Sequence, residues 1–287
     1  MEGPWRCESA RVGKGSEVSG SATPPKPQLL PITMPTTLSA IAATPGTSTT
    51  SRPRSSALRR SGPIALVATS CSALGDTSLP TGAALSDIAV LYTALTDAGC
   101  DVEIVSVAGG PVPLDPASMG APNKDAAAAL RRFGGDAAAQ RELADTRSFV
   151  GLVPEDLGGV VFAGGRGAAW DLMFNSEAAA LAAAVHAAGG IGAGVGHGVG
   201  ALAGLAKGRV LTGYTNAEED ADGGAALVPA LLQSHLTGAG ARFLSGTMPG
   251  APHAVRDCRL VSGQNCASAG AVAKLVLEAL SGGVAGL

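Results

Sequence analysis

The stretch GIGAGVGHGVGAL, residues 190–202, has glycine at every second position from Gly190 to Gly200. Its first half alternates glycine with apolar residues, which predicts a short buried strand, and its second half has the spacing of a helix. A strand that passes into a helix through a sharp turn, crowded by small residues, commonly holds a nucleophile above the sheet. Gly196 and His197 occupy this turn and are therefore the first candidates for a functional site.

Short apolar stretches alternate with stretches of helical spacing from residue 63 onward. This alternation predicts an α/β fold, a three-layer sandwich whose mostly parallel central sheet is covered by helices on both faces. Ligands bind such sheets at the carboxyl ends of the strands, where the chain has glycine-rich turns. The predicted strands are residues 63–70, 101–108, 158–165, 191–196, 209–215, 241–245 and 258–263, and the predicted helices are residues 82–99, 124–146, 176–190, 197–206, 226–240 and 268–282.

The composition limits the classes of function. Apolar residues make up 46% of the chain but aromatic residues only 3%, so the predicted core consists of small aliphatic residues with closely approaching backbones. Lys and Arg number 20 against 23 Asp and Glu, which leaves no basic excess for binding nucleic acid. The five cysteines are scattered without a CxxC pair, and the histidines lack metal-ligand spacing. Neither a disulfide framework nor a metal site is predicted.

Residues 1–60 differ in composition from the rest of the chain. They are rich in Ser, Thr and Pro, carry eight basic and three acidic residues, and are predicted to be a disordered leader. The part that begins at a second methionine, Met34, is typical of an organelle transit peptide, so Met34 is a candidate for the true start. We expect a chloroplast location, with mitochondrion or cytoplasm as alternatives, and one folded domain over residues 61–287.

The glycine content suggests nucleotide binding, and the hydropathy suggests membrane insertion. The spacing of the residues supports neither function. A dinucleotide-binding turn that starts at Gly194 would need glycine in place of Val199, and a phosphate-binding loop would need glycine directly before Lys207. Residues 178–206 contain no Asp, Glu, Lys or Arg, but glycines and two histidines interrupt them. A helix, a buried strand and a second helix explain this run better than a membrane span. No cofactor and no membrane association are predicted.

Several longer motifs occur in order from about Ile64 to about Leu280. Through them the sequence resembles the Hsp31-like branch of the DJ-1/PfpI superfamily, which shares its flavodoxin-like fold with class I glutamine amidotransferase domains. Several motifs in the right order over nearly the whole domain are more specific than any one of them. The motifs are LGDTSLPTGAALSDI (74–88), GGPVPLDPAS (109–118), FAGGRGAAWDL (162–172), GVGHGVGAL (194–202), LTGYTNAEE (211–219) and RLVSGQNCASA (259–269).

The resemblance implies which residues form the site and where this chain departs from the family. Relatives carry cysteine followed by histidine at the elbow, whereas this chain has Gly196 in the cysteine position and keeps the imidazole as His197. The resemblance places the acid that orients the imidazole at Glu219. The acid that supports the thiolate falls on Asp87, one methylene shorter than the usual Glu. Gly165 is assigned an oxyanion-binding N–H, with the N–H of His197 as the second donor.

The activity implied by the resemblance is a glyoxalase III reaction, in which a thiolate attacks a 2-oxoaldehyde such as methylglyoxal and D-lactate forms without metal or cofactor. Deglycation and holdase-type chaperoning are also implied. Glycine has no atom that could attack a carbonyl carbon. We therefore expect a non-catalytic stress protein whose partners are a small 2-oxoaldehyde, a glycated substrate or unfolded proteins, with a homodimer as one expected assembly.

Two alternatives stay open on the sequence. In the first, the chain is an active glyoxalase III (D-lactate dehydratase) or deglycase that uses water with His197 and Glu219, or a relocated thiol such as Cys71. In the second, the sequence carries a variant of an active enzyme, because one base change converts a cysteine codon to a glycine codon. Cys266 replaces a proline of the family pattern and is expected to be structural, and Cys258 is expected to be a small buried residue at a strand start.

Overall fold

The computed structural model describes residues 62–282; the expected leader over residues 1–60 and the alternative start at Met34 lie outside them. The strands are β1 (Ile64–Ala68), β2 (Val102–Ser106), β3 (Arg147–Ser148), β4 (Gly159–Phe162), β5 (Ile191–Val195), β6 (Val210–Leu211), β7 (Arg242–Phe243), β8 (Ala254–Asp257) and β9 (Leu260–Gly263). One sheet has the order β3-β2-β1-β4-β5-β9-β8. Its neighbouring strands are parallel except β8 and β9, so the expected mostly parallel sheet is confirmed.

Helices cover both faces of this sheet. The helices are α1 (Leu85–Asp97), α2 (Lys124–Gly135), α3 (Ala137–Ala144), α4 (Ala168–Asp171), α5 (Ser176–Ala187), α6 (Asn216–Ala221), α7 (Leu232–Gly238) and α8 (Ala269–Leu280). Successive residues of β1 point to opposite faces, as the pleat of a strand requires. Leu66 packs in the core layer that holds α1, α2 and α8, whereas Val67 packs in the layer that holds α4, α5 and α7. The three-layer sandwich is confirmed.

Glycine lets the chain pack closely where aromatic rings are scarce. A Cβ at Gly192 would lie 3.2 Å from Leu260 Cδ2, and a Cβ at Gly200 would lie 2.9 Å from the Cα of Met173. Because interiors are packed as densely as organic crystals, neither position has room for an added methyl group without movement of its neighbours. The small residues of the 190–202 stretch are thus a packing requirement of the layer above β5.

The helical segment expected over residues 124–146 is two helices. Asp136 ends α2 and begins α3, because its carboxylate accepts a hydrogen bond from the backbone N–H of Ala138 at 2.9 Å. Aspartate is a strong N-cap and a poor residue for a helix interior, since its side chain competes for the backbone. The helix expected over residues 226–240 is also shorter and begins at Leu232, after a proline at position 229 that cannot continue a helix.

Two segments expected as strands of the central sheet do not join it. Residues 209–215 and 241–245 contribute β6 and β7, which pair in parallel with each other as a separate two-stranded sheet. The edge next to β9 is occupied instead by β8, through a tight hairpin with Cys258 at φ +57°. Cys258 is therefore exposed in a turn, which corrects the expectation of a buried residue at a strand start.

The carboxyl ends of β1, β4, β5 and β9 meet at one edge of the sheet because these strands are parallel neighbours. The segments that follow them are residues 69–84, residues 163–167, the 3-10 helix Gly196–Leu205 and the 3-10 helix Cys266–Ser268. Within residues 62–282, none of the helices combines the length and the apolar character needed to cross a bilayer. The fold thus gathers four loops, distant in sequence, around one place.

Candidate active site

The turn after β5 has the backbone of a nucleophile elbow with glycine at its apex. Gly196 has φ +51°, and the chain turns there from the strand into the 3-10 helix Gly196–Leu205. A Cβ at Gly196 would meet Gly164 Cα at 4.0 Å and nothing closer. The turn therefore has room for a side chain at Gly196, although its left-handed backbone disfavours any residue with a Cβ.

The glycines around Gly196 have no such room. A Cβ at Gly198 would lie 2.5 Å from the carbonyl oxygens of Phe162 and Ala163, and a Cβ at Gly194 would lie 3.0 Å from the backbone of Val199. Backbone atoms cannot move aside as a flexible side chain can. These flanking glycines are required by close backbone approach, whereas the glycine at the apex is not.

His197, the next residue of the elbow, is held by a buried ion-pairing network. Its Nε2 lies 2.7 Å from Oε2 of Glu219, and both side chains are buried. Arg166 donates from Nε to the other carboxylate oxygen, Oε1, at 3.1 Å. Burial alone would raise the pKa of Glu219, but the hydrogen bond from His197 and the charge of Arg166 outweigh it and lower that pKa. Glu219 is thus an ionised group that fixes the ring of His197.

Glu219 is positioned by helix α6, which begins at a capping box. Thr215 accepts a hydrogen bond at Oγ1 from the N–H of Glu218, and the carboxylate of Glu218 accepts one from the N–H of Thr215. Such reciprocal caps fix the first turn of a helix, and Glu219 lies in that turn. The ring of Tyr214 lies 4.7 Å from that of His197, and its hydroxyl donates to Asp222.

Asp87 lies at the bottom of the same region, fully buried in the first turn of α1. Its Oδ2 accepts a hydrogen bond from the N–H of Gly164 at 3.1 Å, and its Oδ1 has no partner of normal hydrogen-bond geometry among residues 62–282. Burial raises the pKa of Asp87 to about 7, against the opposing effects of the Cys266 thiol and the Gly164 N–H. Asp87 therefore changes charge near neutral pH.

This burial makes the folding stability depend on pH, and Asp87→Asn tests it. The pKa of Asp87 is about 7 in the fold and about 3.9 in an unfolded chain, so ionisation in the fold is penalised, and stability falls as pH rises between those values. By pH 8 the penalty reaches up to about 4 kcal/mol. In urea unfolding, Asp87→Asn should therefore gain stability over the unmodified protein at pH 8 relative to pH 5.

The matched control is Asp76→Asn, because Asp76 is an exposed acid in a loop. Its stability difference from the unmodified protein should be the same at both pH values. If the stability difference between Asp87→Asn and the unmodified protein does not grow between pH 5 and pH 8, the effect assigned to burial of Asp87 is contradicted.

A pocket of about 390 Å³ opens between these groups. Gly196 and His197 of the elbow, Asp87 of α1, and Arg166 border it, and so does Cys266, which begins the 3-10 helix after β9. A pocket of this size at the carboxyl edge of a parallel sheet suits a small ligand. The remaining lining residues include two acids, Asp115 and Asp222.

The loop after β4 contributes a backbone donor to the pocket. Gly165 lines it and has φ +107°, a conformation reserved for glycine, and a Cβ there would lie 2.4 Å from the carbonyl oxygen of Gly82. Within the described part of the chain the N–H of Gly165 donates no hydrogen bond to protein. Free backbone N–H groups at a pocket wall can bind a carbonyl or oxyanion oxygen; this role of Gly165 stays a prediction.

The residues singled out from the sequence come together in one place, with one exception. Asp87, Gly165, Gly196 and His197 all line the pocket, and Glu219 lies behind His197. Their chemical roles stay predictions. Cys71 lies outside the lining: its Sγ donates to the carbonyl oxygen of Ala73 at 3.1 Å. The structure therefore does not support Cys71 as a relocated thiol of this site, and that role stays a prediction.

The sequence did not lead us to predict that the thiol of Cys266 lies at the pocket. Cys266 was expected to be structural, yet it lines the pocket. The residue follows the carboxyl end of β9, so its position at the sheet edge was a signal that could have been used. Desolvation by burial, followed by the negative charge of Asp87, raises the pKa of the Cys266 thiol. No group of three or more candidate metal ligands occurs in the part of the chain that the structure describes.

Comparisons with known proteins identify the fold. No family model matches the sequence, and no curated protein matches it. Among solved structures, the chain is similar to the Rapid Encystment Protein 24 KDa (REP24) of Francisella tularensis, with 26% identity and a TM-score of 0.70. The match covers 76% of this chain and 99% of REP24.

Two further solved structures share the fold at lower identity. Glyoxalase III of Candida albicans is 21% identical, with a TM-score of 0.65 over 77% of this chain and 98% of that protein. A ThiJ/PfpI domain protein of Brachyspira murdochii is 16% identical, with a TM-score of 0.53 over 76% of this chain and 96% of that protein. These identities establish the architecture around the pocket and leave its chemistry to be argued from the residues.

Proposed function

We propose that this chain, which shares its fold with the solved structures of REP24, glyoxalase III and a ThiJ/PfpI domain protein, is an Hsp31-like protein of the DJ-1/PfpI superfamily. It binds a small 2-oxoaldehyde in the elbow pocket without covalent catalysis at the elbow. One observation carries the proposal: the chain forms the elbow turn, with His197 held by Glu219, around Gly196, which has no nucleophilic atom. Covalent catalysis needs that atom.

The pocket suits an uncharged carbonyl compound. Its wall offers the N–H of Gly165, which donates no hydrogen bond to protein within residues 62–282, for a carbonyl oxygen, and the ring of His197, held through Nε2 by Glu219, borders the same space. Arg166, the pocket's guanidinium, is already paired with Glu219 and Asp222, so its positive charge is balanced by two carboxylates. A neutral carbonyl compound suits this lining better than an acid does, because an acid would add a negative charge beside Asp87, Asp115 and Asp222.

The binding test is calorimetric titration of the full chain with methylglyoxal, together with an assay for D-lactate. The unmodified protein is expected to bind saturably and to form no D-lactate above a heat-killed control. Ala117→Trp should abolish binding, because Ala117 is an exposed residue of the pocket lining and an indole there fills the opening.

The matched control for this test is Ala128→Trp, since Ala128 is an exposed alanine on α2 outside the pocket lining, and it should bind as the unmodified protein does. Absence of saturable binding would refute the proposed ligand class. Formation of D-lactate by the unmodified protein would refute the non-catalytic assignment. The holdase activity, the homodimer and the chloroplast location stay predictions.

A further inference from the structure

Three polar side chains from two separate elements lie on the wall of the pocket. Ser86 and Asp87 belong to the first turn of α1, and Cys266 begins the 3-10 helix Cys266–Ser268. All three line the pocket. The geometry of the elbow does not require a thiol at Cys266, and Cys266 is far in sequence from the glycine turn.

The thiol of Cys266 lies close enough to Ser86 and Asp87 for both side chains to affect its pKa. Ser86 Oγ and Asp87 Oδ1 are buried, yet within residues 62–282 neither has a partner of normal hydrogen-bond geometry. Buried polar atoms are rarely left unsatisfied, because the lost hydrogen bond to water is not recovered. Two such atoms at the wall of a pocket are available to bond a molecule that enters it.

We propose that Cys266 is the site's thiol and captures the aldehyde of the bound 2-oxoaldehyde as a reversible hemithioacetal, with Asp87 as the group that accepts the thiol proton. This inference rests on the proposed function, since the same pocket must first bind the ligand. It places the covalent chemistry on the β9 side of the pocket and leaves the elbow without a bond to the ligand.

The step is balanced without any co-reactant. Asp87 takes the proton from Sγ of Cys266, the sulfur forms a bond to the aldehyde carbon, and the π pair of the C=O bond moves to oxygen. The proton on Asp87 is then returned to that oxygen, so Asp87 ends as it began. The reverse sequence releases the aldehyde. No electron transfer occurs, and D-lactate would need a further hydrogen shift between the two carbon atoms.

The charges around the thiol explain why it needs a base. Burial, with the negative charge of Asp87, raises the pKa of Cys266, so the thiol stays protonated until its proton is removed in the capture step. Since the pKa of Asp87 is about 7, the rate of capture should rise with pH through that region. The other charged or titratable groups that face this space from neighbouring elements are Asp115, Arg166, His197, Tyr214 and Asp222.

The test follows methylglyoxal labelled with carbon-13 at the aldehyde carbon by NMR in the presence of the full chain. The unmodified protein should give a protein-bound signal of a carbon bonded to sulfur, which disappears on dilution or dialysis. Cys266→Ser should abolish this signal, whereas Cys71→Ser, the matched control, should retain it. Asp87→Asn should slow its appearance at least about tenfold at pH 8 and flatten the pH dependence of the rate.

The outcomes separate this inference from the proposed function. A carbon–sulfur signal that persists in folded Cys266→Ser, with fold checked by circular dichroism and Cys266→Ala as a second variant, would overturn the inference. Saturable calorimetric binding without any carbon–sulfur signal would also overturn it and leave the proposed function standing. Loss of binding by the unmodified protein would refute both. An unchanged pH profile in Asp87→Asn would remove Asp87 from the step.

Discussion

Gly196→Cys is expected to convert the protein into a methylglyoxal-consuming enzyme, with D-lactate formation roughly a hundredfold or more above the unmodified chain. The space for the side chain is present, because the nearest atom to a Cβ at position 196 is 4.0 Å away. The new thiol would stand beside His197, whose ring Glu219 fixes. Loss of a nucleophile from comparable sites costs several orders of magnitude, so its return should recover a large part.

Gly196→Cys is also expected to destabilise the fold, and the control variant must carry the same destabilisation. A side chain at φ +51° costs about 1 to 2 kcal/mol, so the variant should unfold at a lower temperature. Gly196→Ala carries the same backbone cost and no sulfur, and it should form no D-lactate. The double variant with Cys266→Ser should keep the new activity, since the elbow thiol would carry it. A folded, inactive Gly196→Cys protein would show that Asp87, shorter than glutamate, cannot support the elbow thiolate.

Gly198→Ala, two residues further along, is expected to destabilise the fold severely. The added methyl group would lie 2.5 Å from two backbone carbonyl oxygens, those of Phe162 and Ala163 at the end of β4. Neither oxygen can move without disturbing the central sheet, so we expect a loss of about 3 kcal/mol. For a domain of this size the melting temperature should fall by roughly 6 to 12 °C, measured by calorimetry.

Gly204→Ala is the matched control for this prediction, because Gly204 belongs to the same 3-10 helix and a Cβ there would meet only Ala179 Cβ, at 3.9 Å. It should leave the melting temperature unchanged or raise it slightly, since alanine restricts the unfolded chain more than glycine. Equal effects of the two substitutions would contradict the assignment of the elbow glycines to close backbone packing.

The sheet could be predicted from the sequence because its signals are local. Strands such as 64–68 and 159–162 are short apolar runs that end in glycines or small polar residues, and helices with apolar periodicity alternate with them. Residues 209–215 have the same local pattern as those strands, yet they pair with residues 242–243 outside the main sheet. The partner of a strand depends on contacts between distant segments, so it cannot be predicted from the residues of a single segment.

The candidate site, like the sheet, could be predicted from the sequence only in part. Gly196 and His197 are adjacent in an unusual motif, so the sequence alone indicates the elbow. The distance between His197 and Glu219, and the approach of Cys266 to Asp87, depend on how loops after different strands meet. Cys71 also follows a strand at that edge, but its thiol is bonded to the carbonyl of Ala73. Which cysteine reaches the pocket is therefore decided by side-chain direction.

The acidic wall of the pocket also affects which metabolites can enter. Asp87, Asp115 and Asp222 border the space, and Arg166 is bonded to Glu219 and Asp222. A phosphate or carboxylate group that entered would meet like charge, and the charge of Arg166 is already shared with two carboxylates. We therefore expect this pocket to bind anionic ligands more weakly than neutral ligands of the same size.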